Sequence, residues 1–178
     1  MVSTACRELS LPPCRGTYLL RFRLPAMRCR VGALGDCVLP AGDYAYVGSA
    51  FGAGGVDARV RHHLASRARP HWHLDYLRAA MRVRAVWYTC DPRRREALWS
   101  RVLAHWPGSR QPLPGFGAAD CRRRGAVQSH LFLLPQGLDA AAFRAALLRR
   151  APRHADIVCR AVETAEITGA SSKRETGR

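Results

Sequence analysis

The sequence predicts an α+β fold in a single domain, because strand-like and helix-like patterns follow one another without an internal repeat. Apolar and polar residues alternate from Gly16 to Leu24, as in a half-buried strand. Helical spacing of apolar residues follows at 56–64, with Pro70 as a stop signal, and again at 138–149. A chain of 178 residues is long enough to bury one hydrophobic core.

The remaining elements are placed by turn residues and by short apolar runs. Asp91-Pro92 predicts a helix start with Asp91 as the N-cap, and the apolar stripe of that helix extends to Trp106. A short helix is predicted at 72–81. Strands are predicted at 28–31, 36–39, 43–48, 83–90, 130–134 and 157–163. The expected organisation is an N-terminal arm (1–15), one domain (16–165) and a disordered tail (166–178).

Net charge is the feature that points to a partner. The chain has 29 Lys and Arg residues against 13 Asp and Glu residues, a net charge of +16. This excess favours a nucleic acid, DNA first with RNA left open, over a merely solvated basic surface. No apolar run approaches the length of a membrane span or resembles a signal peptide, so we expect a cytoplasmic protein without a membrane partner. The sequence does not predict an oligomeric state.

Cysteine spacing argues against a covalent or metal framework. The seven cysteines are an odd number, and no two of them form a C-x-x-C pair. Neither a set of disulfides nor a zinc ribbon is therefore indicated. Reduced thiols are the simpler expectation for a cytoplasmic protein.

Several short motifs occur in a fixed order along residues 16–135. They are Gly16-x-Tyr18, Tyr44-x-Tyr46-Val47-Gly48-Ser49-Ala50, Gly54-Gly55-x-x-x-Arg59-x-x-x-His63, His71-Trp72-His73-Leu74-Asp75, Glu96, Gly115-x-Gly117-x-x-Asp120-Cys121 and Ser129-His130. In order and spacing the chain resembles the GIY-YIG nucleases. It is most similar to a prokaryotic branch of that superfamily that is catalogued as a domain of unknown function.

The resemblance implies a fold and an activity. The fold would be a small, mainly antiparallel central sheet flanked by helices. The activity would be hydrolysis of DNA phosphodiester bonds with one Mg²⁺ or Mn²⁺ ion, and Glu96 would be the metal ligand. Such an endonuclease could be specific for a DNA structure in repair or recombination, because no base-reading module is visible in the sequence. The alternative is a basic nucleic-acid-binding module that retains the fold without catalysis.

The resemblance also assigns catalytic roles. Arg59 would stabilise charge on the phosphoryl group, and His63, one helical turn later, would orient water or relay a proton. Tyr18 would act as the general base or position the water, with its pKa lowered by the metal and by Arg59. Tyr46 would hydrogen-bond phosphate or water. The alternatives are ordinary core packing for the two tyrosines and a surface ion pair with Arg93 for Glu96.

Other residues are expected to support the site. Those that could contact phosphate are Gly48, Ser49, Gly54, Gly55, His71 and His73. The two last-named histidines would share a direction on an extended segment and could chelate metal, although capping a helix or contacting phosphate is the simpler role. Asp120, Cys121 and His130 could form a structural cluster. The run 93–95 could hold the DNA backbone or be only a solvated helix face.

Overall fold

The fold is built from seven strands and three α-helices in the computed structural model, which describes residues 9–65, 70–117, 128–135 and 138–162. The strands are β1 (Gly16–Leu24), β2 (Met27–Arg30), β3 (Asp36–Leu39), β4 (Gly42–Ala50), β5 (Arg82–Thr89), β6 (Leu131–Leu134) and β7 (Val158–Ala161), and the helices are α1 (Gly55–Leu64), α2 (Glu96–Ala104) and α3 (Ala140–Arg150). The central sheet has the order β6-β4-β1-β5-β7, and every neighbouring pair in it is antiparallel. The predicted α+β class with an antiparallel central sheet is confirmed.

Strand β1 lies in the middle of the sheet and is covered on both faces. Tyr18, Leu20 and Phe22 point to one face, where they pack in a core cluster with α1 residues such as Val60. Leu19 points to the other face and joins the cluster formed with α2 and α3. The prediction of a half-buried strand therefore underestimated the burial of β1. Its side chains do alternate between two faces, but helices cover both of them.

Two predicted helices differ from the structure. Helix α2 begins at Glu96 rather than after Asp91, because the Asp91 carboxylate accepts a hydrogen bond from the Arg93 amide (2.9 Å) and pairs with the Arg95 guanidinium (2.8 Å). These contacts close a turn before the helix instead of capping it. The segment predicted as a helix at 72–81 begins with a 3-10 turn, His73–Tyr76, and continues as further turns.

A disulfide joins Cys14 to Cys90, so the expectation of reduced thiols is wrong for this pair. The two residues are 76 positions apart in sequence, and their Cα atoms are 5.8 Å apart. Antiparallel pairing of β1 with β5 sets Thr17 opposite Thr89, which brings Cys14, two residues before β1, close to Cys90, the residue after β5. In the described part of the chain the free cysteines are Cys29, Cys37 and Cys159.

The arm before β1 is part of the folded core and caps the first turn of α1. Leu11 is buried, and the carbonyls of Pro12 and Cys14 accept hydrogen bonds from the amides of Asp57 and Val56. Those amides open a helix and have no partner within it, so the arm supplies the capping acceptors. The predicted tail lies outside the described residues. Within those residues, no helix has the length and apolar character needed to cross a membrane.

Candidate active site

Tyr18 is the centre of the site, and the sheet register makes room for its ring. Tyr18 on β1 lies opposite Gly48 on β4. A Cβ atom at position 48 would lie 2.2 Å from the Tyr18 hydroxyl oxygen and 2.3 Å from its ring carbon Cζ. Glycine is thus required there for the phenol to lie across the neighbouring strand. This packing role accounts for Gly48 without the phosphate contact expected from the sequence.

A line of three buried polar groups runs from Tyr18 through α1 to the turn after it. The Tyr18 hydroxyl lies 2.8 Å from His63 Nε2, and His63 Nδ1 lies 3.4 Å from Asp75 Oδ1. The other carboxylate oxygen of Asp75 accepts hydrogen bonds from the amides of His71 and Trp72, each at 2.9 Å. Asp75 is therefore held from both sides and in turn orients the imidazole.

The protonation states along this line follow from burial and hydrogen bonding. Burial opposes ionisation of Asp75, but hydrogen bonds from His63 and from the Trp72 and His71 amides outweigh it and hold the pKa of the carboxyl well below its usual value. Burial lowers the pKa of His63, so the imidazole is neutral near pH 7. An ionised carboxylate only accepts, so Nδ1 carries the His63 proton and Nε2 is free to accept one.

Tyr18 is consequently a proton donor in the free protein. Burial raises the pKa of Tyr18 well above its usual value, and the neighbouring Tyr46 and Glu96 raise it further. Arg59 lowers this pKa, as expected from the sequence, but its effect is smaller than that of burial. Tyr18 therefore keeps its proton at neutral pH and donates it to His63 Nε2.

Tyr46 packs beside this line. Its ring meets the His63 ring edge-on, with centroids 5.8 Å apart, and meets Phe116 in the same way at 6.1 Å. Burial raises the pKa of Tyr46 strongly, and the charge of Glu96 adds to the increase. Tyr46 is thus uncharged at neutral pH, and its ring lines the site and packs against His63.

Glu96 is the first residue of α2, and its charge raises the pKa values of both Tyr18 and Tyr46. Its carboxylate oxygen lies 3.0 Å from Nδ1 of the buried His130, although the contact lacks hydrogen-bond geometry. The side chain is 28% exposed. Within the described part of the chain its ion-pair partner is His130 and not Arg93, the partner considered from the sequence.

This environment fits one divalent ion. Mg²⁺ is commonly held by one or two carboxylates and keeps several waters. Glu96 is a partly exposed carboxylate whose oxygens no hydrogen bond saturates within the described residues, so its lone pairs remain available. Asp120 and Cys121 lie outside the described residues, so the structural cluster considered for them with His130 stays a prediction.

Arg59 lies next to this site with a donor unused. Its guanidinium stacks on the exposed Trp72 ring at 3.9 Å from the centroid. Its Nε is buried without a hydrogen-bond partner among the described residues. A cation with an unsatisfied donor beside Tyr18 is suited to an anionic oxygen.

A cleft of about 520 Å³ opens beside Arg59. Arg94 lines it from the other side, donates a hydrogen bond to the Ser49 hydroxyl (3.3 Å) and lies over the Phe51 ring at 4.6 Å. The residues that line the cleft are Ser49, Ala50, Phe51, Gly52, Ala53, Gly55, Ala58, Arg59, His62 and Arg94, none of them acidic. The cleft is therefore a positively charged channel next to the buried relay, and part of the run 93–95 faces it.

The glycine-rich loop, residues 51–55, forms the rim of the cleft. The backbone amides at the start of α1, however, already donate hydrogen bonds within the protein. The amide of Gly55 donates to the Gly52 carbonyl, and the next amides of α1 donate to the arm. A Cβ at position 55 would lie 2.2 Å from the Cys14 carbonyl oxygen. Gly54 has a φ of 75°, the left-handed region that favours glycine. Both glycines are explained by this turn and by the close approach of the arm, and the Gly55 amide is not free for phosphate.

The two histidines that alternate around Trp72 have different partners. His73 Nδ1 accepts a hydrogen bond from the Gly117 amide (3.0 Å), which fixes the loop beside Tyr46. The His71 ring contacts the Trp72 ring, and only the His71 backbone reaches Asp75. His73 therefore has a structural role, but it is neither the helix cap nor the phosphate contact considered from the sequence.

Sequence reasoning placed Tyr18, Arg59 and His63 together but missed two features. It did not give Asp75 a role, although the motif His71-Trp72-His73-Leu74-Asp75 contained it. The available signal was the carboxylate of Asp75, which follows His71 and His73 within four residues. It also considered Arg93 as the partner of Glu96 and missed His130, which is distant in sequence but lies beside Glu96 in the fold.

Fold and site together define a small, basic α+β protein with a buried Tyr–His–Asp line beside a positively charged cleft. The family described as "domain of unknown function DUF123" matches residues 17–153, which is most of the chain. The chain belongs to that family. No curated protein and no solved structure matches the chain.

Proposed function

We propose that this protein is a metal-dependent endonuclease that hydrolyses DNA phosphodiester bonds, as its resemblance to the GIY-YIG nucleases implies. The observation that carries the proposal is the Tyr18–His63–Asp75 line, together with Glu96, whose charge acts on Tyr18. A binding module needs basic residues at its surface, but it does not need a proton path that runs from a buried tyrosine to a carboxylate. The net charge of +16 supports a polyanionic substrate.

The proton path follows from the protonation states. An attacking water would give its proton to the Tyr18 oxygen while the Tyr18 proton passes to His63 Nε2. The ionised Asp75 would stabilise the resulting imidazolium, as carboxylates do in other relays. Tyr18 is thus a proton relay and not a phenolate base, which removes the need for a lowered pKa.

The surrounding charges would act on the phosphate. Glu96 would hold one Mg²⁺ or Mn²⁺ ion, which when bound supplies a water of lowered pKa and neutralises phosphoryl charge. Arg59 would leave the Trp72 ring and place its guanidinium on a phosphoryl oxygen. Arg94 would bind a neighbouring phosphate in the cleft. In this proposal the side chains of Arg59 and Arg94 make the phosphate contacts that the sequence had suggested for the glycine-rich loop.

Tyr18→Phe is expected to reduce the cleavage rate about 100-fold, because one proton-transfer group is removed without a change of shape. The measurement is single-turnover cleavage of supercoiled plasmid and of branched oligonucleotides with Mg²⁺ or Mn²⁺. Tyr44→Phe is the matched control, since Tyr44 is also a buried strand tyrosine but donates its hydroxyl to the Pro40 carbonyl. Equal rates for the Tyr18 variant and wild type would reject the relay. DNA binding without any metal-dependent cleavage by wild type would favour the non-catalytic binding module.

The pH dependence of cleavage is expected to follow His63. Because His63 must be neutral to accept the proton, kcat/KM should fall as the pH drops through the His63 pKa, which burial places below the usual 6.5. Asp75 raises that pKa by its hydrogen bond and charge, so Asp75→Asn should move the acid limb to lower pH while it reduces the rate. A profile from about pH 5 to 8 tests this. An acid limb that stays in place or moves up in the variant would contradict it.

A further inference from the structure

A cluster of two imidazoles and one carboxylate lies where α1 meets the turn after it. The cluster consists of His62, His63 and Asp75, and one ligand atom from each lies within 4.8 Å of the others. It includes His62, which has no part in the proton path. The cluster is also separate from Glu96, whose neighbour is His130.

The distances in the cluster are compatible with those between ligands of a single metal ion. His62 Nε2 lies 3.5 Å from Asp75 Oδ2, and His63 Nδ1 lies 3.4 Å from Asp75 Oδ1. The His63–Asp75 hydrogen bond is thus a long one, because charge-assisted hydrogen bonds are usually about 2.7–2.9 Å. Ligands bound at about 2.0–2.1 Å around a tetrahedral zinc ion lie roughly 3.4 Å from each other. Each of the two distances is thus close to one edge of a tetrahedral site, with one edge running to each carboxylate oxygen of Asp75.

His62 brings an unsatisfied nitrogen to this point. Its Nε2 is buried and has no hydrogen-bond partner among the described residues, although the side chain is 19% exposed. Leaving a polar atom buried and unpaired is unfavourable, so such an atom needs an explanation. His62 also lines the cleft, which gives an ion a path from solvent to the cluster.

We propose that His62, His63 and Asp75 bind a transition-metal ion of the Zn²⁺ class, with a remaining coordination position open to the cleft. Two imidazoles and one carboxylate suit zinc, cobalt or nickel, whereas Mg²⁺ prefers oxygen ligands. Three protein ligands with one open position are the arrangement of zinc sites that bind an exchangeable molecule. This site is distinct from the Mg²⁺ or Mn²⁺ ion assigned to Glu96 and does not depend on nuclease activity.

The groups around the cluster are suited to orient its ligands. The amides of His71 and Trp72 hold Asp75 Oδ2 in position. The Tyr18 oxygen lies 2.8 Å from the ring nitrogen of His63 that faces away from the cluster. Metal-binding histidines usually have such a polar partner on the second nitrogen. With an ion on Nδ1, the proton would reside on Nε2 and be donated to Tyr18, so the hydrogen bond would reverse its direction. His63 could then not accept the Tyr18 proton, so the proton path of the proposed function would be closed while the ion is bound.

The test is a titration of the full-length protein with Co²⁺, in the absence of DNA, followed by visible absorption. Wild type is expected to bind one equivalent with the intense bands of a four- or five-coordinate nitrogen and oxygen site. Zn²⁺ should remove the bands, and excess Mg²⁺ should not. His62→Ala is expected to weaken binding at least about 10-fold, as loss of a site residue does. His105→Ala, which removes an exposed histidine at the end of α2, should leave the titration unchanged.

Asp75→Asn is the second ligand variant, and its oxygen can still accept the amide hydrogen bonds that shape the turn. Equal Co²⁺ affinity in wild type and both ligand variants would overturn the proposal, as would the absence of a stoichiometric site. Charge-transfer bands in the near ultraviolet would also overturn it, because they would place the ion on cysteine thiolates. Glu96→Gln separates the two proposals: Co²⁺ binding should persist in it, whether or not wild type cleaves DNA.

Discussion

Glu96→Gln is expected to reduce the rate of metal-dependent cleavage about 1000-fold, the largest effect of a single substitution in this site. Glutamine keeps the shape of the side chain and its place beside His130, so the fold should be retained. It removes the negative charge that would hold the divalent ion, and with it the charge neutralisation on the phosphoryl group. The loss should appear in kcat and not in DNA affinity, because Arg59 and Arg94 remain.

The measurement is single-turnover cleavage together with fluorescence anisotropy of a labelled branched DNA. Asp156→Asn is the matched control. It removes an exposed carboxylate that pairs with Arg144, and neither residue is among those assigned to the site. Its rate should stay within about twofold of wild type, because exposed ion pairs contribute little. A Glu96→Gln protein that cleaves at the wild-type rate would show that the ion is held elsewhere or is not needed.

Reduction of the Cys14–Cys90 disulfide is expected to lower the free energy of unfolding by about 4 kcal/mol. The bond closes a loop across 76 positions, and the entropy that such a link removes from the unfolded chain grows with loop length. A second cause acts on the folded state. The carbonyl of Cys14 accepts the Val56 amide, so the bond also anchors the cap of α1.

Guanidinium unfolding with and without reductant measures this difference. The double variant Cys14→Ser/Cys90→Ser should match the reduced protein and show no response to reductant. Cys159→Ser, at an exposed position, should match oxidised wild type. Alkylation without reduction, followed by mass spectrometry, should leave both cysteines unmodified. Alkylation of Cys14 and Cys90 in the native protein, or equal stability with and without reductant, would contradict the prediction.

Local features of the fold could be predicted from the sequence, because they depend on short-range geometry. The alternation in β1 identified its faces, and the four-residue spacing of Arg59 and His63 placed both on one side of α1. The start of α2 could not be predicted in this way. Asp91 has the chemistry of a helix cap, but its carboxylate is used by a turn that ends just before Glu96.

Long-range features could not be predicted, because they depend on which strands pair. The Cys14–Cys90 link exists because β5 lies beside β1, and spacing along the chain contains no such information. The contact of Glu96 with His130 likewise depends on the position of β6 at the edge of the sheet. Asp75 is the intermediate case. Its motif was visible in the sequence, but its hydrogen bond to His63 requires that the turn fold back onto α1.

The position of β1 in the sheet sets the time scale on which the parts of the site open. The amides of β1 are hydrogen-bonded to β4 on one edge and to β5 on the other, so amides around Tyr18 exchange with solvent deuterium only when the whole sheet comes apart. Asp75 lies in a short 3-10 turn, which local unfolding opens at a much lower free energy. The proton path therefore joins β1, which opens last, to the turn that contains Asp75, which is among the first segments to open.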